Sequence, residues 1–201
     1  MGNSPDGMEE IMKQTQKLVL SAFFMALGVV LPFLTGQIQQ IGNMLLPMHI
    51  PILLCGFICG WQYGLTVGLA TPLLRSFLFG MPLLMPTAAA MAVELAIYGV
   101  MTGILYAKLP KKIPYIYVSL LGAMIAGRIG WGIVGIWLYG IAGSGFSMQI
   151  FLSGALLNAI PGIVLQIGLI PVILIALKKA GLLKDYNTEI EMTASVRNGA
   201  V

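Results

Sequence analysis

The 201-residue sequence has few charged residues, which make up 9% of the chain against about 25% in soluble domains. It contains 7 acidic residues and a single histidine. Hydrophobic residues make up 58% of it, and the mean hydropathy is +0.93. This composition excludes a soluble globular domain and a disordered chain, because both carry far more polar surface. The sequence therefore predicts a chain that is mostly surrounded by lipid.

Motifs that bind phosphate or metal are also missing. The chain contains no GxxxxGK[ST] loop, so it does not hydrolyse ATP by that route. It contains neither HExxH nor paired aspartates that could hold magnesium for a membrane transferase. Cys55 and Cys59 lie four residues apart in an apolar stretch, without His or Cys partners at metal-site spacing. We therefore expect no enzyme, no cofactor in this chain, and a packing role for both cysteines.

Six apolar segments predict an all-α integral membrane protein with six transmembrane helices. The second and third segments are short and almost continuous, and prolines near several ends predict kinked or broken helices. The bundle spans residues 13–180, between a polar N-terminal extension (1–12) and a polar C-terminal tail (181–201). The six segments are 15–35, 47–61, 63–79, 86–107, 113–139 and 150–178.

The distribution of lysine predicts that both termini are cytoplasmic. With the N-terminus inside, the loops on the opposite side (36–46, 80–85 and 140–149) carry no charge. This asymmetry follows the positive-inside rule, whereas five or seven helices would place a lysine cluster outside. The net charge of +4 then reflects topology, and we expect no nucleic-acid partner. The cytoplasmic lysines are Lys13, Lys17, Lys108, Lys111, Lys112, Lys178, Lys179 and Lys184.

Small residues recur at four-residue spacing, which lets helices approach closely in a membrane. We interpret the glycine series as packing inside the chain. Ala22 and Ala26 on the first helix have the same spacing, and spacing alone leaves two interpretations open: internal packing, or docking onto a second membrane subunit. The glycines of the series are Gly56, Gly60, Gly64, Gly68, Gly99 and Gly103.

Four polar side chains on four helices are predicted to lie at one level of the membrane. With a rise of about 1.5 Å per residue, each lies about 8–12 Å below the outer face. His49, at the outer start of the second helix, lies just above them. Because ionisable residues inside a membrane indicate function, this layer predicts a pocket that opens outward. The four residues are Arg75, Glu94, Arg128 and Asn158.

The layer has a structural and a functional interpretation. Glu94 could pair with Arg128 or Arg75 and only set the register of the helices. Alternatively, two arginines against one glutamate leave one guanidinium for a carboxylate ligand. Tyr98 shares a helix face with Glu94, and Trp131 lies about one turn from Arg128, so aromatic rings could line the pocket. A proton-coupled secondary carrier that uses Glu94 as its proton site remains the alternative function.

Several stretches resemble the substrate-binding S component of energy-coupling factor (ECF) vitamin transporters. Ala22-Phe23-Phe24-Met25-Ala26 fits the AxxxA docking motif of that family. LPMHIPILLCGFICGWQYG (46–64), PLLRSFLFGMPLLMPTAAAMAVELAIYG (72–99) and GRIGWGI (127–133) also look like this family. The resemblance covers roughly residues 13–180 and is closest to the pantothenate branch.

The resemblance implies a transport role in the plasma membrane of a bacterium. An S component captures a vitamin outside the cell and docks, here through Ala22 and Ala26, onto a transmembrane coupling subunit. Two ATPase subunits use ATP to power delivery, and the outer loops cap the ligand. Pantothenate is the expected vitamin, and biotin, which also carries a carboxylate, remains open. The candidate substrate-binding residues are His49, Arg75, Glu94, Tyr98, Arg128, Trp131 and Asn158.

Overall fold

A computed structural model describes residues 5–35, 44–110, 112–141 and 159–180 of the chain. These residues form six α-helices and no strand. A short 3-10 turn, Leu31–Thr35, continues the first helix, and a kinked turn, Leu84–Ala88, leads into the fourth. The helices are α1 (Pro5–Val30), α2 (His49–Cys59), α3 (Trp61–Phe79), α4 (Ala89–Lys108), α5 (Ile113–Ile141) and α6 (Ile160–Lys179).

A helix lies at each of the six predicted positions, which confirms the all-α fold class. α1 is longer than predicted, because it begins at Pro5 and takes in part of the polar stretch 1–12. α6 begins at Ile160, and the part of the predicted sixth segment before residue 159 lies outside the described residues. The predicted tail, 181–201, lies outside them as well.

Within the described residues, four segments are long and apolar enough to cross a membrane. α2 has 11 residues, and at about 1.5 Å per residue it covers only about half of a hydrocarbon core of about 30 Å. α3 is not among the four, and it carries Gln62 and Arg75. Six crossings and the cytoplasmic orientation of the termini therefore stay predictions. The four segments are Gln14–Leu34, Leu84–Lys108, Ile113–Gly140 and Ile160–Lys179.

Glycine allows α4 to pack closely against its neighbours, α2, α3 and α5. A side chain at Gly99 on α4 would overlap the backbone of Gly64 on α3. A side chain at Gly56 on α2 would overlap Thr102 on α4. Five of the six glycines therefore pack helices within this chain, as their spacing predicted, whereas a side chain at Gly60 would meet no described atom within 4 Å. This packing fixes the positions of the polar residues that α2 and α4 carry.

Two glycines end helices with a positive φ, which L residues rarely adopt. Gly60, with a φ of 98°, is the single residue between α2 and α3, and Gly80, with a φ of 69°, follows α3. Each donates its backbone N–H to a carbonyl of the preceding turn, from Gly60 to Gly56 over 3.2 Å and from Gly80 to Ser76 over 2.9 Å. The break between α2 and α3 therefore needs no loop.

The apolar side chains divide into a packed core and an exposed surface. Cys55 and Cys59 are free and buried within the core, as expected for packing residues. Large apolar side chains are exposed along the outer faces of several helices, including Phe23 on α1, Ile133 on α5 and Val164 on α6. An exposed apolar surface of this extent is typical of a protein whose outer face contacts lipid.

Candidate functional site

A buried ion pair joins α4 to α5. Arg128 Nη1 lies 3.1 Å from Glu94 Oε1, and the side chains are 15% and 2% exposed. Gly127, next to Arg128, lets the two helices approach, because a side chain there would overlap the ring of Tyr98. The glycine-rich stretch of α5 thus sets the distance at which the guanidinium meets the carboxylate.

His49 and Tyr98 lie against this ion pair. His49, the first residue of α2, places Nε2 3.7 Å from Glu94 Oε1, which is longer than a hydrogen bond. The rings of His49 and Tyr98 meet edge to face, with centroids 5.4 Å apart. We call His49, Glu94, Tyr98 and Arg128 the polar cluster. Its residues come from α2, α4 and α5. Glu94 and Arg128 belong to the predicted polar layer, and His49 and Tyr98 were predicted beside it.

The polar cluster contains buried nitrogen atoms with no hydrogen-bond partner among the described residues. These are Nε and Nη2 of Arg128 and both ring nitrogens of His49. Leaving such a buried group unsatisfied costs about 1–3 kcal/mol, so the cost needs an explanation. Nε and Nη2 lie on one edge of the guanidinium, which can donate two parallel hydrogen bonds to a carboxylate. Glu94 Oε1 pairs with Nη1 by charge, without the geometry of a hydrogen bond, and that edge has no partner among the described residues.

Arg75 makes its contacts elsewhere. Its Nη1 donates to the carbonyl of Val29 near the end of α1, over 2.6 Å. Its guanidinium carbon lies 5.0 Å and 5.7 Å from the ring centroids of Phe33 and Phe79. We call Arg75, Val29, Phe33 and Phe79 the arginine clamp, since it ties the end of α3 to the end of α1. Of the two ion pairs considered for Glu94, the structure forms the one with Arg128.

The remaining predicted ligand contacts are only partly described. Trp131 is half-buried on α5, three residues after Arg128. Beyond it along α5, Tyr139 Oη lies 3.5 Å from Thr87 Oγ1, so polar contacts between α5 and the chain before α4 continue past the ion pair. Asn158 lies outside the described residues.

The predicted docking residues lie on the outer surface of α1. Ala22 and Ala26 are both exposed, whereas Ser21, Phe24 and Gly28 are buried against the bundle. The alanine pair therefore does not pack inside the described part of the chain. It remains accessible to lipid or to another subunit.

Gln166 on α6 is a polar residue that the sequence reasoning missed. It is fully buried, and neither atom of its amide has a hydrogen-bond partner within the described ranges. It lies eight residues beyond Asn158 in the sixth predicted segment, about 12 Å deeper along a helix, and so outside the predicted level of the polar layer. The signal was present all the same: Gln166 is the only polar side chain in α6 before the terminal lysines.

The family model for the substrate-specific component of ECF transporters matches residues 16–176. The match includes the polar cluster, the arginine clamp and the alanine pair. The chain belongs to this family. The resemblance to this family is thereby confirmed, whereas its pantothenate branch stays a prediction. Comparisons with curated proteins and with solved structures gave no match.

As an S component, the chain is the substrate-specific subunit of an ECF transporter. Such subunits bind substrate for transport and are not enzymes. Members of the family work with a transmembrane coupling subunit and ATPases. The family assignment therefore explains why a buried polar cluster without catalytic motifs lies in an apolar bundle.

Proposed function

We propose that this S component captures a vitamin with a carboxylate group outside a bacterial cell, and that the vitamin is pantothenate. One observation carries the proposal: the buried Nε–Nη2 edge of Arg128 has no partner among the described residues. A carboxylate matches that edge in both charge and geometry. Glu94 supports the interaction by holding Nη1, which orients the guanidinium.

The other cluster residues would complete the recognition of such a ligand. His49 presents two buried nitrogens without a partner in the described part of the chain, so it can donate or accept a hydrogen bond. Tyr98 packs against His49, and Trp131 lies near Arg128 along α5. Asn158 keeps its proposed role as a further polar contact. Pantothenate offers a carboxylate, an amide and two hydroxyls to these groups.

Delivery would follow the cycle that the family implies. Ala22 and Ala26 form the proposed surface for the coupling subunit, and their exposure on α1 supports this role. Small side chains let another helix approach closely in the membrane. Two ATPase subunits would then supply energy from ATP, while this chain tilts in the plasma membrane and carries its pocket inward. The alternative, a proton-coupled carrier that works alone, has no separate observation in its favour.

Equilibrium calorimetry on the purified protein in detergent, with a panel of vitamins led by pantothenate, tests this proposal. We expect tight one-to-one binding of pantothenate without any ATPase subunit. Biotin serves as the matched comparison, because it also carries a carboxylate. Binding of biotin alone would refute the choice of vitamin, and no binding across the panel by folded protein would contradict vitamin capture.

Transport in proteoliposomes separates the proposal from the alternative function. An S component reconstituted alone should not accumulate pantothenate when a proton gradient is applied. Uptake that depends on the gradient and disappears in Glu94→Gln would instead support the proton-coupled carrier.

A further inference from the structure

Gln166 is a buried polar side chain in the apolar helix α6. It is 0% exposed, and both its Oε1 and its Nε2 lack a hydrogen-bond partner among the described residues. A polar side chain inside a membrane is costly, and one that is kept without a partner indicates a function. The neighbouring positions of α6 are apolar, so an apolar residue at position 166 would also fit this helix.

The packing of α6 places Gln166 close to the start of α2. Gly162 and Gln166 lie one turn apart on the buried face of α6. A side chain at Gly162 would come within 3 Å of the backbone of Met44 and Leu45. The contact at Gly162 therefore lies about one helical turn from Gln166 and a few residues before His49 along the chain.

The neighbours of α6 also carry the polar cluster. α6 packs against α2 and α5, and these helices carry His49 and Arg128. Both of those side chains have buried nitrogens without a partner in the described ranges. α6 and the two helices that it packs against therefore each contribute a buried polar group with unused hydrogen-bonding capacity among the described residues.

We propose that Gln166 is a substrate-binding residue that recognises an uncharged polar group of the cargo, a secondary amide or a hydroxyl. A glutamine amide offers two donors and an acceptor, so it complements a group that can both donate and accept. Arg128 binds the charged end of the same molecule. The inference rests on the proposed function and adds that the cargo carries an uncharged hydrogen-bonding group beside its carboxylate.

Gln166→Met tests the inference, because methionine keeps the length of the side chain and removes the amide. In the ligand-free protein the variant should melt about 2–6 °C higher than wild type, since an unsatisfied buried amide is removed. Its affinity for pantothenate should fall by about tenfold or more, because the ligand loses a hydrogen-bond partner. Gln62→Met is the matched control: Gln62 is exposed on α3, so both measurements should stay at wild-type values.

Two results would overturn the inference without touching the proposed function. A lower melting temperature of ligand-free Gln166→Met would show that the amide already has a partner in the empty protein. An unchanged affinity for pantothenate would show that the amide does not contact the cargo. If wild type does not bind pantothenate, the proposed vitamin is wrong, and the same two measurements with the vitamin that does bind still decide the role of Gln166.

Discussion

The polar cluster and the arginine clamp each bury one arginine, but they use it differently. In the clamp, Arg75 donates to the carbonyl of Val29 and lies over two aromatic rings. In the cluster, Nη1 of Arg128 pairs with Glu94, and its Nε and Nη2 are buried without a partner in the described part of the chain. A buried cation whose contacts are made stabilises the fold, whereas unused donors are the basis of the ligand contact proposed for Arg128.

The two regions also occupy different junctions of the bundle. The clamp joins the ends of α1 and α3, near the surface that carries the proposed docking residues. The cluster joins α2, α4 and α5, which pack closely because Gly56 and Gly127 leave room. The comparison therefore predicts that changes in the arginine clamp affect stability or assembly. Changes in the polar cluster are predicted to affect ligand binding.

The largest effect is expected from Arg128→Met, which removes the carboxylate-binding edge. Truncating one partner of a buried charge pair costs about 2–5 kcal/mol, so affinity for pantothenate should fall by at least about 30-fold. Calorimetry measures the loss. Arg128→Lys keeps the charge but lacks the planar fork, so its binding should be weak as well.

A control is needed because Arg128→Met leaves Glu94 buried without its partner, which can destabilise the fold. The double variant Arg128→Met with Glu94→Gln removes that charge and should be folded, as judged by its melting temperature. It should still fail to bind. Binding at wild-type affinity by the folded double variant would refute the role of Arg128.

A smaller effect, confined to assembly, is expected when Ala22 and Ala26 are both replaced by Trp. Bulky side chains on the outer face of α1 should prevent close helix approach and reduce co-purification of the coupling subunit by about tenfold or more. Vitamin affinity should stay unchanged, because the polar cluster lies on other helices. Ile133→Trp on the exposed face of α5 is the matched control. Equal yield of the complex from the alanine variant and the control would refute docking through this face.

Arg75→Met is expected to lower stability and to leave binding almost unaffected. The hydrogen bond from a charged group and the contacts with aromatic rings together contribute about 2–4 kcal/mol. The variant should therefore melt several degrees lower than wild type, while its affinity for pantothenate stays within about threefold of wild type. A loss of binding as large as that of Arg128→Met would erase the distinction between the two regions and return Arg75 to the binding site.

Most of the fold could be predicted from the sequence, because its signals are local or periodic. Apolar runs indicated six helices, and the four-residue spacing of glycine indicated close packing inside the chain. The length of α1 was underestimated, since the polar residues after Pro5 continue the helix without an apolar signal. Spans are supported for four helices, because α2 is short and α3 carries Gln62 and Arg75.

The candidate site was predicted less completely. Burial of Glu94 and Arg128 followed from their isolation in apolar segments, and His49 and Tyr98 were expected nearby. The predicted depth of a residue does not say which way its side chain points around the helix axis. The sequence therefore could not decide whether Arg75 or Arg128 pairs with Glu94. Gln166 was not predicted, because the sequence does not show that its amide is buried without a hydrogen-bond partner among the described residues. That property depends on the side chains that pack around it.

The sequence by itself determined the class of this protein: its scarcity of charge, its helical periodicity and its motif stretches identify an S component in a membrane. Each of these properties can be read from a single segment, without knowing how the helices pack. Only the tertiary structure decided which arginine pairs with Glu94, which one clamps α1 to α3, and which polar atoms are left without a partner. The physical reason is that these polar atoms find hydrogen-bond partners only on neighbouring helices. The helices come close enough to supply partners because Gly56, Gly99 and Gly127 have no side chain.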